Sequence, residues 1–593
     1  MQNLGLTVLW HRFRLALTGI LAVVMLGGCA HEGVGSPLRR DKLQVAAAES
    51  AFGNYLAGRF ANTQRDTSLA ATFYGRALAE DPHNQVILQR TFLLDISDGR
   101  MDDAQELARR IVLDRSNDRL ARLVLAIDAF KHHKHAVARR HLDRTGDGPF
   151  TELVESLVRA WSYADQRQTK KAVEILDEVA SNTGLHGFTA FQKALIYEIG
   201  LRTGDAEKAY AVAREDNRGG GLRVVQAYGR FLERIGRTDA AIAVYEDYLE
   251  RVSDSRIVAE DLARAHAGLR PPALAPNARA GLAEAIFGVS AFLAARHQRV
   301  DLPLLYLQLA LHLRPNFPAS RILLADLYGG IKRYSAAIRI LGGVDRTSIY
   351  ARQARIQIAQ YLHKMGRNEE AIASMRRLAA EDPQDLESVA TLATMLRMSS
   401  RFAEAADVYG QAIAMLDEVK ENHWPLFFYH GVSLERSGRW PEAEDSLKQA
   451  LRLNGDQPEV LNYLAYSWID RGQRVREAMG MVKRALEIRA KVERRPNDGY
   501  LIDSLGWAHF RLGEYDKAVR HLERAAELEP GDPSINEHLG DAYWMAGRRI
   551  EARFQWERVL KLKPGAEHSR VIRRKLEFGL TAPTAAATGT SGS

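Results

Sequence analysis

The chain of 593 residues is almost free of cysteine, because Cys29 is its only one. No intramolecular disulfide can form, so the fold must be held together by its apolar core. The motifs H-E-x-x-H, G-x-x-x-x-G-K-[ST] and G-x-S-x-G are also missing, which excludes the common zinc-protease, nucleotide-binding and serine-hydrolase signatures. We therefore expect a protein that is not an enzyme and that needs no cofactor.

The chain also has few long apolar runs and no strong excess of charge of one sign. Residues 15–26 form an apolar run well short of the roughly 20 residues that span a bilayer, and we see no run of spanning length after it. The net charge of +8 arises from 82 basic and 74 acidic side chains, which is a weak excess for so long a chain. This charge does not indicate a nucleic-acid partner, and no motif indicates a small-molecule substrate.

Cys29 directly follows the apolar run. Arg12 and Arg14 precede the run, and Leu26-Gly27-Gly28-Cys29 ends it. A basic start, a short apolar core and small residues at the end are typical of a secretory signal peptide. The last four residues resemble the lipobox of bacterial lipoproteins, in which the cysteine is lipidated and becomes the first residue. A plain signal peptide with an incidental cysteine is the alternative. Because Ala30 rather than Asp follows, the resemblance implies an anchor at the periplasmic face of the outer membrane.

Internal repetition organises the rest of the chain. The segments ending at Pro82 and Pro530 share a small residue near the start and an alanine twelve residues later. This alanine recurs at intervals of 34 residues, at Ala70, Ala104, Ala138 and Ala172, at Ala337, Ala371 and Ala405, and at Ala518 and Ala552. The period is that of the tetratricopeptide repeat, a pair of antiparallel helices. It predicts an all-α fold, a right-handed superhelical solenoid of roughly thirteen helix-turn-helix units.

The pattern also predicts domain boundaries. The period is lost at residues 253–281, where three prolines indicate a hinge or irregular connection. The predicted segments are a signal peptide at 1–28, a flexible tether at 29–49, an N-terminal repeat array at 50–252, the hinge at 253–281, a C-terminal array at 282–564, a capping helix at 565–580 and a disordered tail at 581–593.

One histidine-rich stretch, KHHKH at residues 131–135, could in principle bind a metal ion. The repeat register places it in the loop between the two helices of the third repeat. Its flanking lysines would repel a cation, so we predict a solvated loop and no metal site.

Binding of a protein partner is the function that remains. In this type of repeat the first helix, helix A, lines the concave side, and positions 2, 5, 9, 12 and 13 face the groove. Counted from Trp424, Pro458, Gly499 and Pro533, these positions hold Phe428, Tyr466, Asp470, Tyr500, Asp503, Trp507, Phe510, Glu537, Asp541 and Trp544. Aromatic side chains provide large contact areas for recognition. We predict a groove that favours an apolar or basic segment, with packing against neighbouring helices as the alternative.

The last repeats carry a more specific resemblance. "LNYLAYSWIDRG" (461–472), "LIDSLGWAHFRLGEYDKAVRHLERA" (501–525) and "INEHLGDAYWMAGRRIEARFQWERVL" (535–560) resemble the C-terminal repeats of large outer-membrane tetratricopeptide lipoproteins of Gram-negative bacteria. One member of that group is a scaffold for a periplasmic carboxy-terminal processing protease. The resemblance implies a lipid-anchored scaffold, with such a protease and its substrates as candidate partners. A component of an envelope export or outer-membrane assembly machine, and an enzyme with an unrecognised site, remain open alternatives.

Overall fold

Helices make up most of the described chain. The computed structural model describes residues 50–64, 66–144, 149–216, 221–253, 255–296, 300–491 and 498–580. These residues form 30 α-helices and one 3-10 turn with no strand among them, which confirms the predicted all-α solenoid of helix pairs. Cys29, the signal peptide, the tether and the tail lie outside the described residues, so those predictions remain predictions.

The chain divides into two compact units, residues 1–367 (unit 1) and 368–593 (unit 2). The described helices of unit 1 are α1 (Ala51–Thr63), α2 (Thr67–Glu80), α3 (Gln85–Asp98), α4 (Met101–Asp114), α5 (Arg119–Lys131), α6 (His135–Leu142), α7 (Pro149–Asp165), α8 (Thr169–Thr183), α9 (His186–Ile199), α10 (Thr203–Asp216), α11 (Leu222–Arg234), α12 (Thr238–Arg251), α13 (Arg256–His266), α14 (Ala278–Arg296), α15 (Asp301–Leu313), α16 (Pro318–Gly330), α17 (Tyr334–Leu341) and α18 (Ala351–Lys364).

The described helices of unit 2 are α19 (Asn368–Glu381), α20 (Leu386–Met398), α21 (Phe402–Ala414), α22 (Trp424–Arg436), α23 (Trp440–Leu453), α24 (Pro458–Asp470), α25 (Val475–Lys491), α26 (Gly499–Arg511), α27 (Tyr515–Leu528), α28 (Pro533–Met545), α29 (Arg549–Lys561) and α30 (Ala566–Phe578). A 3-10 turn at Glu421–His423 leads into α22.

Small residues set the distance between the two helices of a repeat. The nine alanines that recur at intervals of 34 residues are all fully buried. At the facing position of the other helix, a Cβ on Gly506 would lie 2.6 Å from Cγ of Leu522, closer than side chains can pack. The two helices could not approach this closely with larger residues, which explains why the small residues recur with the repeat.

Unit 1 departs from a simple row of repeats because its later helices pack against its first ones. Helix α14 contacts α7 and α9, and α15 contacts α3 and α5. The side-chain amide of Gln308 donates to the carbonyl of Ser97 at 3.1 Å, and Arg339 pairs with Asp98 at 2.9 Å. The inner faces of the first repeats are therefore covered by helices of the same unit.

This packing changes the predicted domain boundaries. Residues 253–281 are not a hinge between two arrays, because Arg256–His266 is helical, α14 begins at Ala278, and both sides belong to unit 1. The irregular part is confined to residues 267–277. The compact units divide at 367/368 instead, a boundary that the repeat period does not mark.

Helix α14 also corrects the expectation that no second apolar run reaches spanning length. Within the described chain, it is one helix that is long and apolar enough to cross a membrane by length and composition alone. Its apolar window is 61% buried inside unit 1, as expected for a core helix. Helix α14 can approach α7 closely because Gly281, which has no side chain, lies against the fully buried indole of Trp161 in α7.

Two glycine-to-alanine substitutions should change stability in opposite directions. A Cβ at Gly281 would lie 2.0 Å from the Trp161 ring, so Gly281→Ala should lower the free energy of unfolding by about 1–3 kcal/mol. Gly75 lies inside α2 with no atom within 4 Å of its Cβ position, so Gly75→Ala should raise the free energy of unfolding by about 0.5–1 kcal/mol. Urea unfolding of both variants measures the difference. A stabilised Gly281→Ala protein would contradict the packing of α14 on α7.

The helix A surface of unit 2

The predicted groove residues lie on the A helices α22, α24, α26 and α28 of unit 2. Helix α24 contacts α26, and α26 contacts α28. Asp498 and Asp532 begin α26 and α28 with N-caps, each accepting hydrogen bonds from two backbone N–H groups. These caps fix where each helix begins and so which side chains face the neighbouring A helix.

Trp507 lies between two A helices rather than on an open surface. Its ring stacks on Phe510 at 4.5 Å between centroids and on His538 of α28 at 4.2 Å. His538 Nδ1 is 2.9 Å from Oδ1 of Asp503, one turn before Trp507. Only 8% of Trp507 is exposed, and its indole N–H is buried without a hydrogen-bond partner among the described residues. Trp507 therefore packs as a core residue.

The predicted openness of the groove is accordingly wrong for half of its residues. Five of the ten are buried: Phe428, Asp503, Trp507, Phe510 and Asp541. The others are half-buried or exposed: Tyr466, Asp470, Tyr500, Glu537 and Trp544. The physical reason is the close succession of helices, because the following helix covers side chains that the repeat register leaves open. Phe428 contacts Tyr463 of α24, Trp507 contacts His538 of α28, and Asp541 contacts Lys575 of α30. This outcome agrees with the alternative of packing between helices, and the partner-binding role of the residues remains a prediction.

The last repeat is covered by α30. Lys575 of this helix lies 2.6 Å from Glu537 Oε1 and 2.6 Å from Asp541 Oδ2. Burial alone would raise the pKa of Glu537, but Lys575 and His568 outweigh it and lower this pKa, which keeps the carboxylate charged. These two acids thus share the charge of Lys575 within the unit and are poor candidates for contacting a partner.

Trp544 is partly covered at the same end of the unit. Its ring packs on Trp556 at 5.3 Å between centroids, and its indole N–H donates to the carbonyl of Leu580 at 3.2 Å. The residue is half-buried, whereas Trp556 is fully buried. A capping helix at 565–580 is predicted from the sequence, but the repeat register does not show which side chains it covers.

An acidic surface stays accessible around Tyr466. Burial raises the pKa of this phenol, and the nearby carboxylates of Asp503, Asp470, Glu537 and Asp532 raise it further. Asp470 is exposed at the end of α24 and makes no ion pair within the described residues. Arg511 donates to the main-chain carbonyl of Asp470, at 2.6 Å, rather than to its carboxylate. We call Tyr466, Asp470, Tyr500 and Asp532 the acidic surface; it carries negative charge beside aromatic rings.

The histidine-rich stretch of unit 1 is only partly a solvated loop. His133 is exposed, but His135 is the first residue of α6, is 7% exposed and packs edge-on against Phe130. Burial lowers the pKa of His135, which favours the neutral imidazole. His133 and His135 converge on Asp165 at the end of α7, and these three residues are a group within the described chain that could hold a metal ion. The sequence could not show this, because Asp165 belongs to the next repeat.

Comparisons with known proteins agree with the repeat architecture. The tetratricopeptide repeat family matches residues 356–418, 430–493 and 504–567. Among curated proteins, one segment of 149 residues is 26% identical to protein O-mannosyl-transferase TMTC1 of Homo sapiens and covers 25% of this chain. Another segment of 102 residues is 26% identical to a TPR repeat-containing protein of Pseudomonas aeruginosa and covers 17% of this chain. The matched segments span 16% of the length of either relative, so neither relative's activity is carried over.

Two solved structures show distant likenesses to the chain. A chain in the crystal structure of the APC/C hetero-tetramer Cut9–Hcn1 is 15% identical with a TM-score of 0.37, covering 92% of this chain and 99% of that one. A tetratricopeptide repeat protein from Parabacteroides merdae is 13% identical with a TM-score of 0.36, covering 44% of this chain and 97% of that one. We infer nothing about partners from likenesses of this size. The family matches, the helix pairs and the buried alanine register show a fold built from tetratricopeptide-type repeats.

Proposed function

We propose that the protein is a non-enzymatic scaffold that binds a basic segment of a protein partner on the acidic surface of unit 2. The observation that carries this proposal is Asp470, an exposed carboxylate that lies near the phenol of Tyr466 and makes no ion pair among the described residues. An aromatic ring beside an exposed carboxylate suits the recognition of a lysine- or arginine-containing segment, because such cations attract both carboxylates and ring faces.

The proposed location is the periplasmic face of the outer membrane, with a lipid on Cys29 as the anchor. The support for it is the sequence Leu26-Gly27-Gly28-Cys29 after a short apolar run, together with the resemblance of the last repeats to outer-membrane lipoproteins. A periplasmic protease and its substrates are the candidate partners by the same resemblance. A scaffold of this kind would hold its partners close to the membrane by binding alone.

Charge reversal at Asp470 tests the binding surface. Asp470 ends α24, where a lysine suits the helix dipole, so Asp470→Lys should fold normally. We expect it to weaken partner binding about tenfold or more, because a like charge replaces an attractive one. The measurement is crosslinked capture from membranes, with captured proteins quantified by mass spectrometry at low and high salt.

The matched control is Glu557→Lys, an exposed charge reversal on α29 away from the acidic surface. The partner should be captured by the wild type and by Glu557→Lys, and lost with Asp470→Lys and at high salt. If no captured protein distinguishes the two variants, the acidic surface is not the binding site.

Lipidation is tested separately by Cys29→Ser. A serine hydroxyl does not accept the lipid, so the variant should leave the membrane fraction and appear in the soluble periplasm. Attached acyl chains contribute about 0.8 kcal/mol per buried methylene, which makes the expected shift nearly complete. The measurement is flotation of outer-membrane fragments followed by immunoblotting. A Cys29→Ser protein that still floats with these fragments would exclude the lipid as the anchor.

A further inference from the structure

Two imidazoles of unit 1 meet at a single carboxylate oxygen. His133 Nδ1 lies 2.8 Å and His135 Nε2 lies 2.9 Å from Oδ2 of Asp165. The ligand atoms of the three residues all lie within 4.8 Å of one another. Histidine nitrogen and carboxylate oxygen are the ligands that zinc and related divalent ions take, at about 2.0–2.2 Å. Small movements of the side chains would bring all three atoms to these distances around one ion.

The backbone holds the three residues from two successive repeats. His133 occupies the turn between α5 and α6 with φ of 59°, and His135 begins α6 two residues later. Asp165 ends α7, the first helix of the next repeat. Because His135 is fixed by its burial while His133 is 63% exposed at its side chain, one ligand is rigid and one is free to adjust.

Two of the cations near this cluster, Lys131 and Arg139, contact other residues. The ammonium of Lys131 lies 3.4 Å from Nδ1 of His312 in α15. Arg139 donates to the side chains of Ser162 and Gln166, at 3.0 and 2.9 Å. These contacts direct both cations to other residues but leave their charges in place, and burial and Arg139 together lower the pKa of His135.

We propose that His133, His135 and Asp165 bind one divalent transition-metal ion of the zinc type, with water completing the coordination on the exposed side of His133. Metal binding replaces the two hydrogen bonds to Asp165. His133 then coordinates through Nδ1 and His135 through Nε2, the nitrogens that face Asp165 in this structure. His135 Nδ1, which must then carry its proton, is buried without a hydrogen-bond partner among the described residues. Metal-binding histidines normally donate this second proton to an acceptor. We therefore expect micromolar affinity rather than the tighter binding of closed structural sites.

Such an ion would link the turn between α5 and α6 to the end of α7. Because it binds only the folded arrangement, zinc should raise the melting temperature of the protein by mass action. This inference does not depend on the proposed binding function of unit 2.

The test is zinc titration calorimetry on the untagged full chain in detergent, carrying Cys29→Ser so that no thiol competes. His133→Ala removes an exposed ligand, and Asp165→Asn keeps the side-chain shape while removing the charge. Each should weaken this site by about a hundredfold or more, because losing a ligand costs more than the roughly 10–100-fold loss that follows removal of a ligand's hydrogen-bond partner. Each should also abolish the rise in melting temperature with zinc.

The matched control is His132→Ala. His132 is an equally exposed neighbour that pairs with Asp128 and does not belong to the cluster. It should retain the site, and the other histidines of the chain contribute equally to all variants. The proposal is overturned if the parent protein binds no zinc, if His133→Ala binds as tightly as the parent, or if His132→Ala loses as much affinity.

Discussion

Replacing Trp507 by alanine is expected to lower the free energy of unfolding by about 3–5 kcal/mol. The side chain is almost fully buried between α26 and α28, where it stacks on Phe510 and on His538. Removing it leaves a cavity the size of an indole that the surrounding helices cannot fill without losing their own contacts. Urea unfolding followed by circular dichroism measures the loss.

Two other tryptophans, one fully buried and one half-buried, serve as controls for this prediction. Trp556 is fully buried in α29 and donates its indole N–H to Asp541 at 2.9 Å, so Trp556→Ala should cost a similar amount. Trp544 is half-buried, and Trp544→Ala should cost clearly less. If Trp507→Ala were within about 1 kcal/mol of the wild type, Trp507 would be a surface residue, and the predicted open groove would be restored.

Glu284→Gln should be as damaging to unit 1, again by about 3–5 kcal/mol. Glu284 lies on the apolar helix α14, is 2% exposed, and pairs with both Arg223 and Arg314, the latter at 3.2 Å. A glutamine fits the same space but leaves two guanidinium groups without their shared countercharge. Uncompensated charge in a buried site costs far more than the charge pair itself contributes.

The matched control for this substitution is Glu174→Gln. Glu174 and Lys170 are separated by 4.0 Å on the outside of α8, with both side chains largely exposed. The same change there should alter the free energy of unfolding by less than about 1 kcal/mol, because water screens the pair. Equal effects at the two sites would mean that Glu284 is accessible to water and that α14 is not packed inside unit 1.

The sequence predicts what each repeat requires locally. Gly506 and the alanines of the 34-residue register recur because two helices cross at a fixed distance, so the period predicts helix pairs throughout. The period does not predict that α28 buries Trp507, because this burial depends on how closely successive repeats pack. Nor does it predict the contact of Gly281 with Trp161, which joins distant segments of unit 1.

The same limit applies to the candidate functional residues. The spacing of His133 and His135 is visible in the sequence, but their partner Asp165 lies in another repeat and only the fold brings it near. Likewise, the register assigns Glu537 and Asp541 to open positions, while Lys575 from α30 pairs with both of them. Side chains that meet across repeats leave no periodic signal, so their pairing could not be predicted.

The return of α14 and α15 onto the first repeats has a consequence for how the chain folds. A simple repeat array can fold progressively from one end, since each repeat contacts only its neighbours. In unit 1 the inner faces of α3, α5, α7 and α9 are covered by helices that emerge from the ribosome much later. Contacts between distant segments slow folding, and apolar faces that stay exposed during synthesis are prone to aggregate. The first half of the chain therefore needs protection until α15 has been made, whereas the repeats of unit 2 can assemble as they appear.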